Sequence, residues 1–74
     1  MNRNEFNELD VIVFIGSKVK WIIGTIEPHF YNLTKITCDG WPTETMPYTK
    51  TYCRKNAVLV GKWNREEMKE IDEA

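Results

Sequence analysis

Two β-rich runs separated by one Gly-Ser pair constrain the fold of this chain more tightly than any other feature. Val11-Ile12-Val13-Phe14-Ile15 is β-branched and aromatic throughout, Gly16-Ser17 interrupts it, and Lys18-Val19-Lys20-Trp21-Ile22-Ile23 resumes with lysines alternating against apolar side chains. Such side chains fit a pleated surface, and a period of two puts Lys18 and Lys20 on one face and Val19, Trp21 and Ile23 on the other. The pattern predicts two strands joined by a tight turn. Gly24 follows in mid-strand, where a residue without a side chain marks a bulge or bend. The first run is apolar on both faces, Ile12 and Phe14 opposite Val11, Val13 and Ile15, so a sheet wetted on one side does not satisfy it. Both faces need a cover.

The rest of the chain reads as further short strands. Pro28 and Asn32 make 27–32 a loop, and 33–39 is a third strand with Thr34, Ile36 and Cys38 on one face. Residues 40–47, bracketed by prolines, form a longer loop. Residues 48–54, rich in Thr and Tyr, are a fourth strand, and after Lys55-Asn56 residues 57–63 are a fifth. Asn4 is placed to cap a short helical turn carrying Phe6 and Leu9. Asn64 and Glu67 have capping-box spacing, and Met68 and Ile71 share a helical face, which predicts a C-terminal helix over about 64–72. The expected fold is mainly β, a small closed barrel of five strands with short helical segments at its ends, in one domain over 1–74. Its expected core is Val11, Val13, Val19, Trp21, Ile23, Ile36, Val58 and Val60.

Size and composition limit what such a barrel can do. Seventy-four residues give a single domain whose net stability is ~3–5 kcal/mol. Hydrophobic residues are 42% and aromatics 12%, too many for a disordered chain. The longest uncharged apolar run, residues 11–17, is far short of the ~20 needed to span a bilayer. Residues 1–5 lack the apolar stretch of a secretory signal, so a cytoplasmic protein is expected. In that reducing compartment Cys38 and Cys53 are expected as free structural thiols, a cross-strand disulfide being the alternative. Cys38, Cys53 and His29 come from three separate segments with no C-x-x-C pair, so no metal site and no cofactor is expected.

The net charge of −1 conceals an asymmetry. Residues 11–63 carry seven bases against three acids, while the two ends sum to −2 and −3. A basic body between acidic ends either attracts a polyanion or masks itself from one.

Catalysis finds no support in the spacing. Ser17, His29 and Asp39 are the residue types of a triad, but nothing in the sequence brings them together, and no phosphate-binding loop is present. The chain is expected not to be an enzyme. Aromatics beside prolines are more informative: Phe30 and Tyr31 follow Pro28, Trp41 precedes Pro42, and Tyr48 follows Pro47. Rigid, amphipathic rings on loops favour recognition, which makes Phe30, Tyr31, Trp41 and Tyr48 candidate partner-binding residues. Trp41 and Tyr31 either anchor an interface or fold back to complete the core. A second constellation is Lys50, Tyr52, Arg54 and Lys55, bases interleaved with an aromatic on the fourth strand and its turn, as a nucleic-acid strand would use. Against it stands a pI near 5.8, where a dedicated binder usually exceeds about 9. A protein partner is the leading expectation and nucleic acid the alternative.

The pattern Asp10-Val11-Ile12-Val13, Gly16-Ser17-Lys18-Val19-Lys20 and Ile23-Gly24-Thr25-Ile26 resembles the opening of SH3-like barrels of the Tudor and KOW type. Arg54-Lys55-Asn56-Ala57-Val58-Leu59-Val60 is similar to the turn leading into their last strand. The likeness spans about 9–63. The chain lacks the repeated glycines of the KOW loop and the acidic first loop and paired aromatics of peptide-binding SH3 domains. The resemblance implies a five-stranded SH3-like barrel acting by contact. Small barrels of this kind occur among bacteriophage proteins, which suggests an accessory or inhibitory protein working in a host cytoplasm.

Overall fold

The computed structural model, which describes residues 5–71, contains the predicted hairpin as the centre of a larger sheet. Strand β1 (Asp10–Phe14) pairs with β2 (Lys20–Ile26) in antiparallel register, Ile12 opposite Trp21 and Val13 opposite Lys20. The connection is longer than a Gly-Ser turn. Ser17 N donates to Phe14 O at 2.9 Å, Val19 N donates to Ser17 Oγ at 3.1 Å, and Gly16 takes φ +88°, a conformation open to glycine. Regular alternation therefore starts at Lys20. The β2–β3 register shifts between Ile23 and Ile26, a bulge at Gly24, where an added Cβ would stand 3.3 Å from Asn32 O.

Strands β3 (Phe30–Ile36) and β4 (Pro42–Thr49) extend the meander, helix α1 (Lys50–Asn56) carries the chain across, and β5 (Ala57–Asn64) returns beside β1. A short β6 (Lys69–Ile71) pairs with β5. The result is one antiparallel sheet in the order β4-β3-β2-β1-β5-β6, curled as a half-barrel.

Both faces of the first two strands are covered. On one face Phe6, Ile12, Trp21, Ile23, Tyr31, Leu33, Cys53 and Ala57 form a buried cluster under α1. On the other, Val11, Ile22, Ile36 and Trp63 form a smaller one with Leu9 and Val60 against it. Of the expected core, Val11, Trp21, Ile23 and Ile36 are buried, while Val13, Val19 and Val60 are half-buried. Val58 is exposed. It pairs with Val13 near the end of β1, beyond the reach of β6, which covers only the stretch of β5 from Lys62 to Asn64.

Three segments differ from the sequence expectation. Residues 42–47, expected as part of a loop, join Tyr48 and Thr49 in β4, which tolerates Pro42 and Pro47 because it is an edge strand of the described sheet. Thr34 and Thr45 hydroxyls meet across β3 and β4 at 2.9 Å. The expected fourth strand over 48–54 is replaced from Lys50 onward by α1. Thr49 caps it, accepting from Tyr52 N at 3.2 Å, Arg54 and Lys55 sit in the last turn where cations suit the helix dipole, and Cys53 faces the core.

The expected C-terminal helix is a hairpin. Asn64 Oδ1 does accept from Glu67 N at 2.9 Å, as an N-cap would, but Met68 turns to φ +54° and sends the chain back as β6. Gly61 permits this approach: an added Cβ there would lie 2.8 Å from both Glu70 Oε2 and Ile71 O. At the other end Asn4 lies outside the described residues, and 8–9 form a turn rather than helix. Asn7 N donates to Asp10 Oδ2 at 2.7 Å, and Lys62 Nζ lies 2.9 Å from Asp10 Oδ1, so the buried Asp10 carboxylate is held from both sides. Leu9, at φ +69°, ties the sheet together, its N donating to Ile23 O and its O accepting from Trp63 N.

The two thiols are free, Cys38 exposed in the turn after β3 and Cys53 buried on α1, so they do not sit on neighbouring strands. No described helix is long and apolar enough to cross a membrane.

Candidate functional site

The four loop aromatics separate in the structure. Tyr31 is core: it is 2% exposed, its ring meets Phe6 edge-on at 6.0 Å, and Phe6 N donates to its hydroxyl at 3.4 Å. Of the two outcomes left open for Tyr31 the structure takes the core, in place of the candidate interface, because β3 begins at Phe30 and pairs Tyr31 with Tyr48, turning the ring inward. Phe30, beside it, is half-buried. Trp41 is the opposite case, 61% exposed in the turn between β3 and β4. Tyr48, half-buried on β4, belongs to a group that sequence spacing does not reveal.

That group is a cluster of four rings. Phe14 lies 5.2 Å from Tyr48, 5.4 Å from Tyr52 and 6.4 Å from Trp21, Trp21 lies 5.4 Å from Tyr48, and Tyr48 stacks on Tyr52 at 6.0 Å with planes 28° apart. Offset-stacked and edge-to-face pairs at these separations are favourable beyond their buried area. Trp21 closes the inner side and Tyr52 stands 48% exposed on the outer side. The hairpin register already implies half of it, since Ile12 opposite Trp21 puts Phe14 on the same face, diagonal to the indole. The other half depends on α1: as helix, Tyr52 lies one turn beyond Tyr48 and folds back over it.

The same helix divides the candidate nucleic-acid residues. In a strand Lys50, Tyr52 and Arg54 share one face; in a helix, at about 100° per residue, Tyr52 turns to the side opposite Lys50 and Arg54. Lys50 Nζ sits 5.6 Å over the Tyr31 ring, Arg54 pairs with Glu5 at 3.2 Å, Tyr52 joins the rings, and Lys55 lies exposed beside Val58 and Leu59. Lys50, Tyr52, Arg54 and Lys55 are not one strip.

Topology disposes of the triad. Ser17 and Asp39 occupy turns at one end of the meander and His29 the turn at the other, separated by the seven residues of β2, about 20 Å. Among the described residues no group of three His, Cys, Asp or Glu side chains is placed to hold a metal ion. Burial pushes the Cys53 thiol up from 9.0 to about 11, which keeps it protonated and unreactive at neutral pH.

Comparison with protein-family models, curated proteins and solved structures finds no match to this chain.

Proposed function

We propose that this chain is a non-enzymatic binding module, an SH3-like barrel of five strands with a sixth appended, that holds a protein partner on the Phe14, Trp21, Tyr48 and Tyr52 surface. A four-stranded meander, a short helix and a fifth strand returning to the first support the SH3-like reading. The observation that carries the binding surface is Tyr52, a half-exposed ring stacked on Tyr48 and backed by two more rings on rigid strands. Interfaces draw most of their energy from a few such preorganised aromatic anchors. A partner offering an apolar side chain to the rings would displace poorly held water without ordering this surface further. The resemblance to small phage barrels fits an accessory or inhibitory protein that blocks a surface of a host protein.

The test is affinity capture with the wild type, Tyr52→Ala and Thr51→Ala. Tyr52→Ala should melt within a few degrees of the wild type yet lose captured partner at least tenfold, which is ~1.4 kcal/mol. Thr51→Ala, a neighbouring exposed position, should capture normally. Equal capture by Tyr52→Ala and wild type would refute the ring surface.

A further inference from the structure

The two edges of this sheet are guarded unequally. β4 carries Pro42, Glu44 and Pro47, devices that keep a further strand from adding. β5 carries neither proline nor charge from Ala57 to Gly61, only Ala-Val-Leu-Val-Gly. Among the described residues β6 pairs with β5 from Lys62 to Asn64, which leaves Ala57 to Gly61 without a strand on that side. Apolar side chains stand out around this stretch, Ile15 at 70%, Val58 at 46% and Leu59 at 55% exposure. A hollow of about 360 Å³ adjoins it, and Ile15, Lys55, Ala57, Val58 and Leu59 are among its lining.

The register fixes which backbone groups the open edge offers. Ile15 N donates to Asn56 O at 2.7 Å, and the pairing continues with Phe14 opposite Ala57, Val13 opposite Val58 and Ile12 opposite Leu59. Antiparallel pairs alternate between hydrogen-bonded and non-bonded, so Val58 turns its N–H and C=O to β1, whereas Ala57 and Leu59 turn theirs away. Ala57 N donates to Cys53 O at the end of α1, which agrees with an outward direction. The edge is left with the Leu59 N–H, the Leu59 C=O and the Ala57 C=O.

That set is complementary to itself. About a two-fold axis at Val58, an antiparallel copy stands Leu59 opposite Ala57, and each Leu59 N–H meets the Ala57 C=O of the other chain. Val58 packs on Val58, and the ladder ends at 57–59, short of β6 in either copy. The end charges match as well. The same register carries Lys55 of each copy toward the Gly61 end of the other. There Glu70 turns Oε2 to Gly61 while Lys20 holds Oε1 at 2.8 Å. A foreign strand would take the same backbone bonds, whereas a second copy brings the matching charges with it.

We propose that the open edge of β5 pairs with the same edge of a second copy of this chain, antiparallel about a two-fold axis at Val58. The contact is isologous and uses up the edge that makes it, so association stops at the dimer. A ladder this short gives a weak dimer.

Sedimentation velocity of the full chain from about 10 µM to about 1 mM, with two-dimensional NMR over the same dilution, tests the pairing. The expected result is a monomer–dimer equilibrium in which the Leu59 amide shifts as the dimer forms. Val58→Lys should weaken the dimer about tenfold or more, because two like charges meet across the axis. Its Tm should stay within a few degrees of the wild type, since the position is exposed. Lys55→Glu should weaken the dimer about threefold by removing the end-charge match. Tyr52→Ala should dimerise as the wild type, which separates this edge from the ring surface. A chain that stays monomeric to about 1 mM would overturn the proposal, whatever then fills the edge, residues 72–74 of the same chain included. So would undiminished dimerisation in Val58→Lys, or a dimer lost in Tyr52→Ala, which would move the interface to the rings.

Discussion

Truncating Tyr31 should unfold this protein, whereas truncating Trp41 should leave its stability alone. The Tyr31 ring is 2% exposed, packs edge-on against Phe6 and is capped by Lys50. Removing a buried ring of this size costs ~3–5 kcal/mol in lost transfer energy and cavity formation. A domain of 74 residues has a net stability of about the same size, so Tyr31→Ala should be largely unfolded at 25 °C. Tyr31→Phe separates ring from hydroxyl. It leaves Phe6 N, which donates to that hydroxyl at 3.4 Å, without this partner, at a cost of ~1 kcal/mol. For a chain of this length that lowers Tm by about 4–8 °C. Trp41→Ala removes an exposed side chain and should stay within ~0.5 kcal/mol of the wild type. Circular dichroism melts and urea titrations of the three variants read these differences directly. A cooperative Tyr31→Ala melt within a few degrees of the wild type would refute the assignment of this ring to the core.

Two further predictions concern chemistry and packing. At neutral pH iodoacetamide should modify Cys38 in the folded protein and reach Cys53 only after unfolding, as mass spectrometry of digested protein would show. Because the Cys53 thiol is raised from 9.0 to about 11, the folded state keeps a proton that the unfolded chain releases first. Stability from this group is complete below pH 9 and declines as pH rises to about 11, so Cys53→Ser should flatten that alkaline slope in urea titrations. Gly61→Ala should force β6 off β5, because the new methyl meets Ile71 O, and cost ~1–3 kcal/mol. The same displacement carries Glu70 away from Lys20, which nuclear magnetic resonance of the Lys20 side chain would detect; unaltered shifts there would contradict the tight β5–β6 approach.

Part of the candidate and proposed binding surface was legible in the chain and part was not. The exposed Trp41 follows from local chemistry, a tryptophan between Gly40 and Pro42 in a turn. Tyr31 did not follow, because its proximity to Pro28 says nothing about which face of β3 it takes. That is set by pairing with Tyr48, seventeen positions later. The ring cluster needed Phe14, Trp21, Tyr48 and Tyr52 from four elements.

Short-range pattern by itself determined the hairpin from Val11 to Ile22, the bulge at Gly24 and the need to bury both faces. Each rests on a period-two alternation or on a glycine's missing side chain, properties that neighbouring residues settle among themselves. Tertiary structure decided the segments whose local signals were balanced. Residues 50–53 combine Thr and Tyr, which favour a strand, with a Thr49 cap, which favours a helix, and the burial of Cys53 in the larger core cluster favours the helix. Residues 64–67 carry a helix cap that does form, yet Lys62, Trp63 and Asn64 offer β6 a ladder, which the missing side chain of Gly61 lets approach. A nascent turn of a few residues is worth little in water, and a strand that joins a sheet pairs its backbone groups at once.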